Sequence, residues 1–120
     1  MGGLNRSILA GRLVADPEVR FTKNEKQVTS FRLAINRRKG EDADFINCVA
    51  WNGLAKICGE YLKKGRLVAV EGRLQISSYK DKSGASKSST EVVVDNMQML
   101  DSKFFNATSK EKEEKELVTV

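Results

Sequence analysis

The chain has 120 residues, a net charge of +5 and a 40 % apolar content, enough for one compact core without metal or disulfide staples. It contains no histidine, and neither a phosphate-binding glycine loop nor a nucleophile with a neighbouring base is legible, which argues against an enzyme. Basic residues outnumber acidic ones 17 to 11 in the first hundred positions, against 4 to 5 in the last twenty. The basic excess fits a polyanionic partner and equally an ordinary basic surface.

In chain order, residues 4–14 read as a first strand interrupted by Gly11, where a bulge or bend is expected. Asp16 and Pro17 force a turn, and residues 19–22 form a short extended piece. A second strand follows at about 28–38, with Phe31, Leu33 and Ile35 alternating against Arg32, Ala34 and Asn36. It ends in a charged hairpin tip. The acidic trio Glu41, Asp42 and Asp44 reads as solvated charge at that tip rather than a metal cage, since no further ligand type supports one. No metal or cofactor is expected.

Residues 43–51 form the third strand and organise the rest. One face carries Ile46, Cys48 and Ala50; the other carries Phe45, Asn47, Val49 and Trp51. That second face is either another buried layer or a wet platform on which flat ligands stack. Residues 53–64 change period: Leu54, Ile57, Cys58, Tyr61 and Leu62 fall on one helical stripe. Asn52 is the expected N-cap, Lys63 and Lys64 suit the C-terminal end, and Gly65 suits a left-handed stop. A fourth strand at about 66–79 points Val68, Val70, Leu74 and Ile76 one way and Glu71, Arg73, Gln75, Ser77 and Tyr79 the other, with a bend at Gly72. Residues 80–87 read as a flexible polar loop, and a fifth strand spans about 90–100. Cys48 and Cys58 read as small buried hydrophobes, not as a disulfide or zinc framework. Without a leader-like or membrane-length apolar run, a cytosolic, reduced protein is expected.

Three strands, one helix and two more strands is the plan of an all-β OB-fold, a five-stranded Greek-key barrel with its helix between the third and fourth strands. The second and third strands form the usual binding face of that fold, and Phe45, Asn47 and Trp51 point there with Arg32 and Asn36 alongside. The architecture therefore favours the platform over the buried layer.

The segments LNRSILAGRL (4–13), DPEVRF (16–21), ADFINCVAW (43–51), YLKKG (61–65), VEGRL (70–74) and TEVVVD (90–95) occur in order. Together they resemble the bacterial single-stranded DNA-binding protein family over about residues 3–104. The resemblance implies a homotetramer of OB-folds, cytoplasmic and nucleoid-associated, that coats single-stranded DNA in replication, recombination and repair. The family's base-stacking positions fall on Phe45, Trp51 and Tyr79; a further one falls near Arg37 and Arg38, whose planar side chains can also stack. Many relatives are basic where this chain has Gln75 and Ser77, a departure along the DNA path. Arg6, Arg12, Arg32, Arg37, Arg38, Lys56, Lys64 and Arg73 are candidates for phosphate neutralisation. Residues 1–104 are expected to form the domain and 105–120 a charged, disordered tail. Full-length members close on an acidic tip that recruits proteins; the sequence given ends without one, so those partners are not expected. An RNA-binding OB-fold and a structural OB-fold acting through protein contacts are the competing readings.

Overall fold

The computed structural model describes residues 2–40 and 42–100. Its elements are β1 (Ser7–Leu13), β2 (Glu18–Phe21), β3 (Gln27–Asn36), β4 (Ala43–Trp51), α1 (Asn52–Tyr61), β5 (Leu67–Lys80) and β6 (Ser86–Met99). Neighbours in the sheet run β1-β5-β6-β4-β3-β2, and β1 also pairs with β3. The sheet thus closes on itself as a barrel of five long strands, with α1 between the third and fourth of them. This is the expected OB-fold. The piece at 19–22 is more than a connection: β2 is a strand in its own right, antiparallel to the first part of β3.

Alternation along the strands fills the barrel. Leu13, Phe31, Leu33, Cys48, Ala50, Val68, Val70, Val92 and Val94 are buried together, joined by Ala55, Cys58 and Leu62 from the helix end. The Thr29 hydroxyl, fully buried, donates to the Ala55 carbonyl at 2.6 Å and ties the helix to β3. Both thiols are free and buried. Burial pushes that of Cys48 up to about 12, aided by Cys58 and Glu91, and that of Cys58 up to about 11.

Several local expectations are corrected. The helix buries Ala55 and Cys58 with Leu62 beyond its end, leaving Ile57 and Tyr61 exposed. Asn52 is not an N-cap: it is the first helical residue, at φ 56°, and no side chain caps the helix. Lys63 and Lys64 lie past its end, and Gly65, at φ 90°, serves the turn into β5, where the Arg66 amide donates to the Lys63 carbonyl at 3.1 Å. Gly11 sits in an unbroken β1–β5 ladder; its bareness is needed because a Cβ there would overlap the Ala34 carbonyl where β1 meets β3. The bend at Gly72 is present as a register shift opposite β6.

Leu74 and Ile76 are not core. Beyond Gly72 every residue of β5 is exposed, and past Gln75 β5 pairs with β6 alone, as a two-stranded arm. The polar segment 80–87 is a tight turn at residues 81–85 between the ends of β5 and β6, in which the Asp81 carboxylate accepts from the Ser83 and Ala85 amides at 2.9 and 3.0 Å. Those donors and the Ser83 hydroxyl, which leads, hold the Asp81 carboxyl below its ordinary value. The expected end of the domain near 104 and the charged tail lie outside the described residues.

Candidate nucleic-acid interface

Directly opposed residues share a face of a sheet, so the strand registers map the outer face of β3 and β4 as rows. Ala34 opposes Phe45, Arg32 opposes Asn47, Ser30 opposes Val49 and Val28 opposes Trp51. All four rows extend onto neighbours, the Trp51 row to Arg20 of β2. Arg12 of β1 joins the Phe45 row; Glu91 of β6 and Gln75 of β5 join the Asn47 row; Val93 of β6 and Arg73 of β5 join the Val49 row. The platform spans both sides of β4.

Exposure excludes a buried layer for the aromatics of this face. Phe45 is 54 % exposed, Trp51 43 % and Tyr79 52 %. One part of the same face is nonetheless dry: Val49 is 5 % exposed and packs with Val28 and Val93. That small apolar patch separates the two aromatics of β4, which stand about 20 Å apart along the strand. Tyr79 lies six residues beyond Arg73 on the arm, about 20 Å further out. The three rings are therefore spaced along a path and do not form one cluster.

The cations divide into groups. The Arg32 guanidinium lies 5.2 Å from the Phe45 ring centroid, a stacked cation on the platform itself. Arg73 lines a groove of about 540 Å³ with Trp51, Lys26 and Asp95. Arg37, just beyond β3, donates to Asp44 through two nitrogens at 2.9 and 3.2 Å, and the carboxylate raises its pKa further. Arg38 is exposed at the tip of the β3–β4 hairpin. Arg12 shares the Phe45 row, but its guanidinium donates to the Gly65 carbonyl at 2.9 Å. Arg6 is ion-paired with Glu71 beside β1; Lys56 is exposed on α1. Lys64 lies near the Asp16 turn, where its backbone amide donates to that carboxylate at 2.9 Å. The registers place none of these last three beside the aromatics of β4.

Three residues of the face were not singled out from sequence: Arg20, Lys26 and Glu91. Arg20 opposes Val28 and so joins the Trp51 row. The alternation of Glu18 and Arg20 was visible, but the register that aligns them with Trp51 belongs to the folded sheet. Among the described residues no group of His, Cys, Asp and Glu is placed to hold a metal ion. No helix there is long and apolar enough to cross a membrane.

Exposed aromatics and guanidiniums thus share one face of a closed five-stranded barrel, the OB-fold class. Comparison with known proteins narrows the class. The chain is similar to the single-stranded DNA-binding protein of Caldanaerobacter subterraneus subsp. tengcongensis, 48 % identical over 120 positions that cover 95 % of this chain and 80 % of that one. It is 46 % identical to single-stranded DNA-binding protein A of Bacillus subtilis over 105 positions, covering 83 % of this chain and 61 % of that protein. A Staphylococcus aureus single-stranded DNA-binding protein is 45 % identical over 113 positions, covering 90 % and 72 %. The model of the single-strand binding protein family matches residues 4–100. The chain belongs to that family, whose members are DNA-binding proteins and not enzymes.

Proposed function

We propose that this protein binds single-stranded DNA without regard to sequence and protects it during replication, recombination and repair. The observation that carries the reading is the exposure of Phe45, Trp51 and Tyr79 along one path, with Arg32 and Arg73 on the same face. A base needs only a flat partner to stack, so each ring takes any base, at about 1–3 kcal/mol per contact. Duplex DNA keeps its bases stacked internally and offers none to the rings. Arg32 and Asn47 border Phe45 and Arg73 borders Trp51; Arg38 and Tyr79 extend the path to either side. Arg37 contributes once the DNA competes with Asp44 for it, an exchange that costs little for an exposed pair. Arg6, Arg12, Lys56 and Lys64 serve as outlying charges for DNA that wraps beyond the platform.

Assembly as a homotetramer fits this reading. Leu4 is 96 % and Ile8 73 % exposed beside the edge of the arm, an apolar strip that a second copy would cover. The Asn5 side chain already ties this segment to the Leu74 backbone, donating at 2.7 Å and accepting at 2.8 Å. A sedimentation mass of one chain at micromolar concentration would remove the tetramer. A cytoplasmic, nucleoid-associated location follows from the proposed role.

The test of function uses Trp51, the only tryptophan. Its fluorescence should be strongly quenched by single-stranded oligonucleotides and little by duplex, with affinity falling steeply as salt rises. Equal quenching by duplex, or tighter binding to single-stranded RNA of the same length, would overturn it.

A further inference from the structure

The platform has a side that the aromatic path does not use. Between β2 and β4 lies a groove of about 330 Å³ whose lining includes Arg20, Val28, Ser30, Val49, Trp51 and Glu91. Its size falls within the range of small-ligand clefts, about 300–1,000 Å³. Arg20, Val28 and Trp51 form one cross-strand row. Arg20 and Trp51 are thus two strands apart, about 10 Å between backbones. A flat ring held between a guanidinium and an indole needs about 7–8 Å from plane to plane, twice a van der Waals contact. Val28 and Val49, both buried, supply an apolar floor.

The charges of this groove do not suit a phosphate. The Arg20 guanidinium lies 3.4 Å from the Glu18 carboxylate and 3.5 Å from the Ser30 hydroxyl. Glu91 adds a second carboxylate to the same lining. One guanidinium set against two carboxylates repels an anion, while its flat face remains available for stacking. The ion pair is exposed on both sides, so it restrains Arg20 without burying it.

We propose that Arg20 and Trp51 are the two walls of a slot that takes one unpaired base, floored by Val28 and Val49. The slot rests on the single-stranded DNA reading above and adds a residue to it: Arg20 acts as a stacking plane and not as a phosphate charge. DNA at this point has its base turned inward and its backbone outward, away from Glu18 and Glu91. The strand then crosses from β4 over the first part of β3 to the edge strand β2.

The experiment compares wild type, Arg20→Lys and Trp51→Ala on two labelled oligonucleotides of equal length, one of thymidines and one wholly abasic, read by anisotropy. Lysine keeps the charge and removes the plane. Because Arg20 is exposed on an edge strand, the variant should fold, and thermal unfolding checks this. The expected result is a loss of about five- to tenfold for R20K on the thymidine strand and no measurable loss on the abasic one. R20K binding thymidines as wild type does would overturn the slot, and so would equal losses on both strands, which would mark Arg20 as a charge contact. W51A separates this failure from a failure of the wider reading. If W51A weakens thymidine binding while R20K does not, only the slot falls; if neither does, the stacking face itself is refuted.

Discussion

Replacing Trp51 with alanine separates folding from binding. The side chain is 43 % exposed, so somewhat more than half of it is covered. Removing a fully buried Trp costs about 3–5 kcal/mol; scaled to the covered portion, W51A should cost about 2 kcal/mol of folding stability. Removing one stacking plane should cost about 1–3 kcal/mol of binding, a loss of about five- to 150-fold. The matched control is Ile46→Ala. Ile46 faces the barrel and is only partly buried against its core, so it too should cost about 2 kcal/mol in folding. The stabilities of the two variants should therefore be similar and only their DNA affinities should differ. Denaturant midpoints give the first quantity, and anisotropy of a labelled oligonucleotide gives the second, since W51A has lost the intrinsic fluorophore. A W51A protein that is far less stable than I46A yet binds DNA as wild type does would show that Trp51 is a structural ring and that the platform reading is wrong.

Gly72→Ala should destabilise by about 1–3 kcal/mol or more, because the new Cβ overlaps the Val93 carbonyl at the β5–β6 register shift; an unchanged unfolding midpoint would contradict the close approach. The cysteines predict an alkaline limb of stability. Their folded thiols are raised from 9.0 to about 12 for Cys48 and about 11 for Cys58, so the unfolded state ionises first as pH rises. Their contribution is intact below about pH 9 and is lost from there up to about pH 11–12. A Cys48→Ala, Cys58→Ala double variant should show a shallower decline over that window. Identical slopes would mean that the thiols ionise alike in both states, and rapid labelling of the native protein at pH 8 would show that they are not shielded.

What the sequence determined by itself was the succession of elements and the two faces of residues 43–51. Period-two alternation and a 3.6-residue stripe are local properties, so the strand around Phe45, the helix and the burial of Cys48 and Cys58 were legible from the chain, as was the family from six ordered segments. The failures were of another kind. Leu74 and Ile76 continue the alternation of Val68 and Val70 past Gly72, yet only the latter are buried: Gln75 is the last residue of β5 opposite a part of β6 that pairs with β4, with Leu74 at that margin and Ile76 beyond it. Asn52 is a common capping residue, but the course of the chain from β4 into α1 places it inside the helix with a left-handed backbone. Val49 looked like part of the open face until Val28 and Val93 closed over it. The neighbours of Trp51 were hidden most completely. Arg20 lies 31 positions earlier in the chain and Arg73 22 later, and nothing in local periodicity couples them to the ring. Register couples them: a one-residue slip of β2 against β3 would turn Arg20 to the other face. Which side chains share a face within one strand is fixed by the pleat; which strands lie side by side, and in what register, is fixed by closing the barrel around a single core.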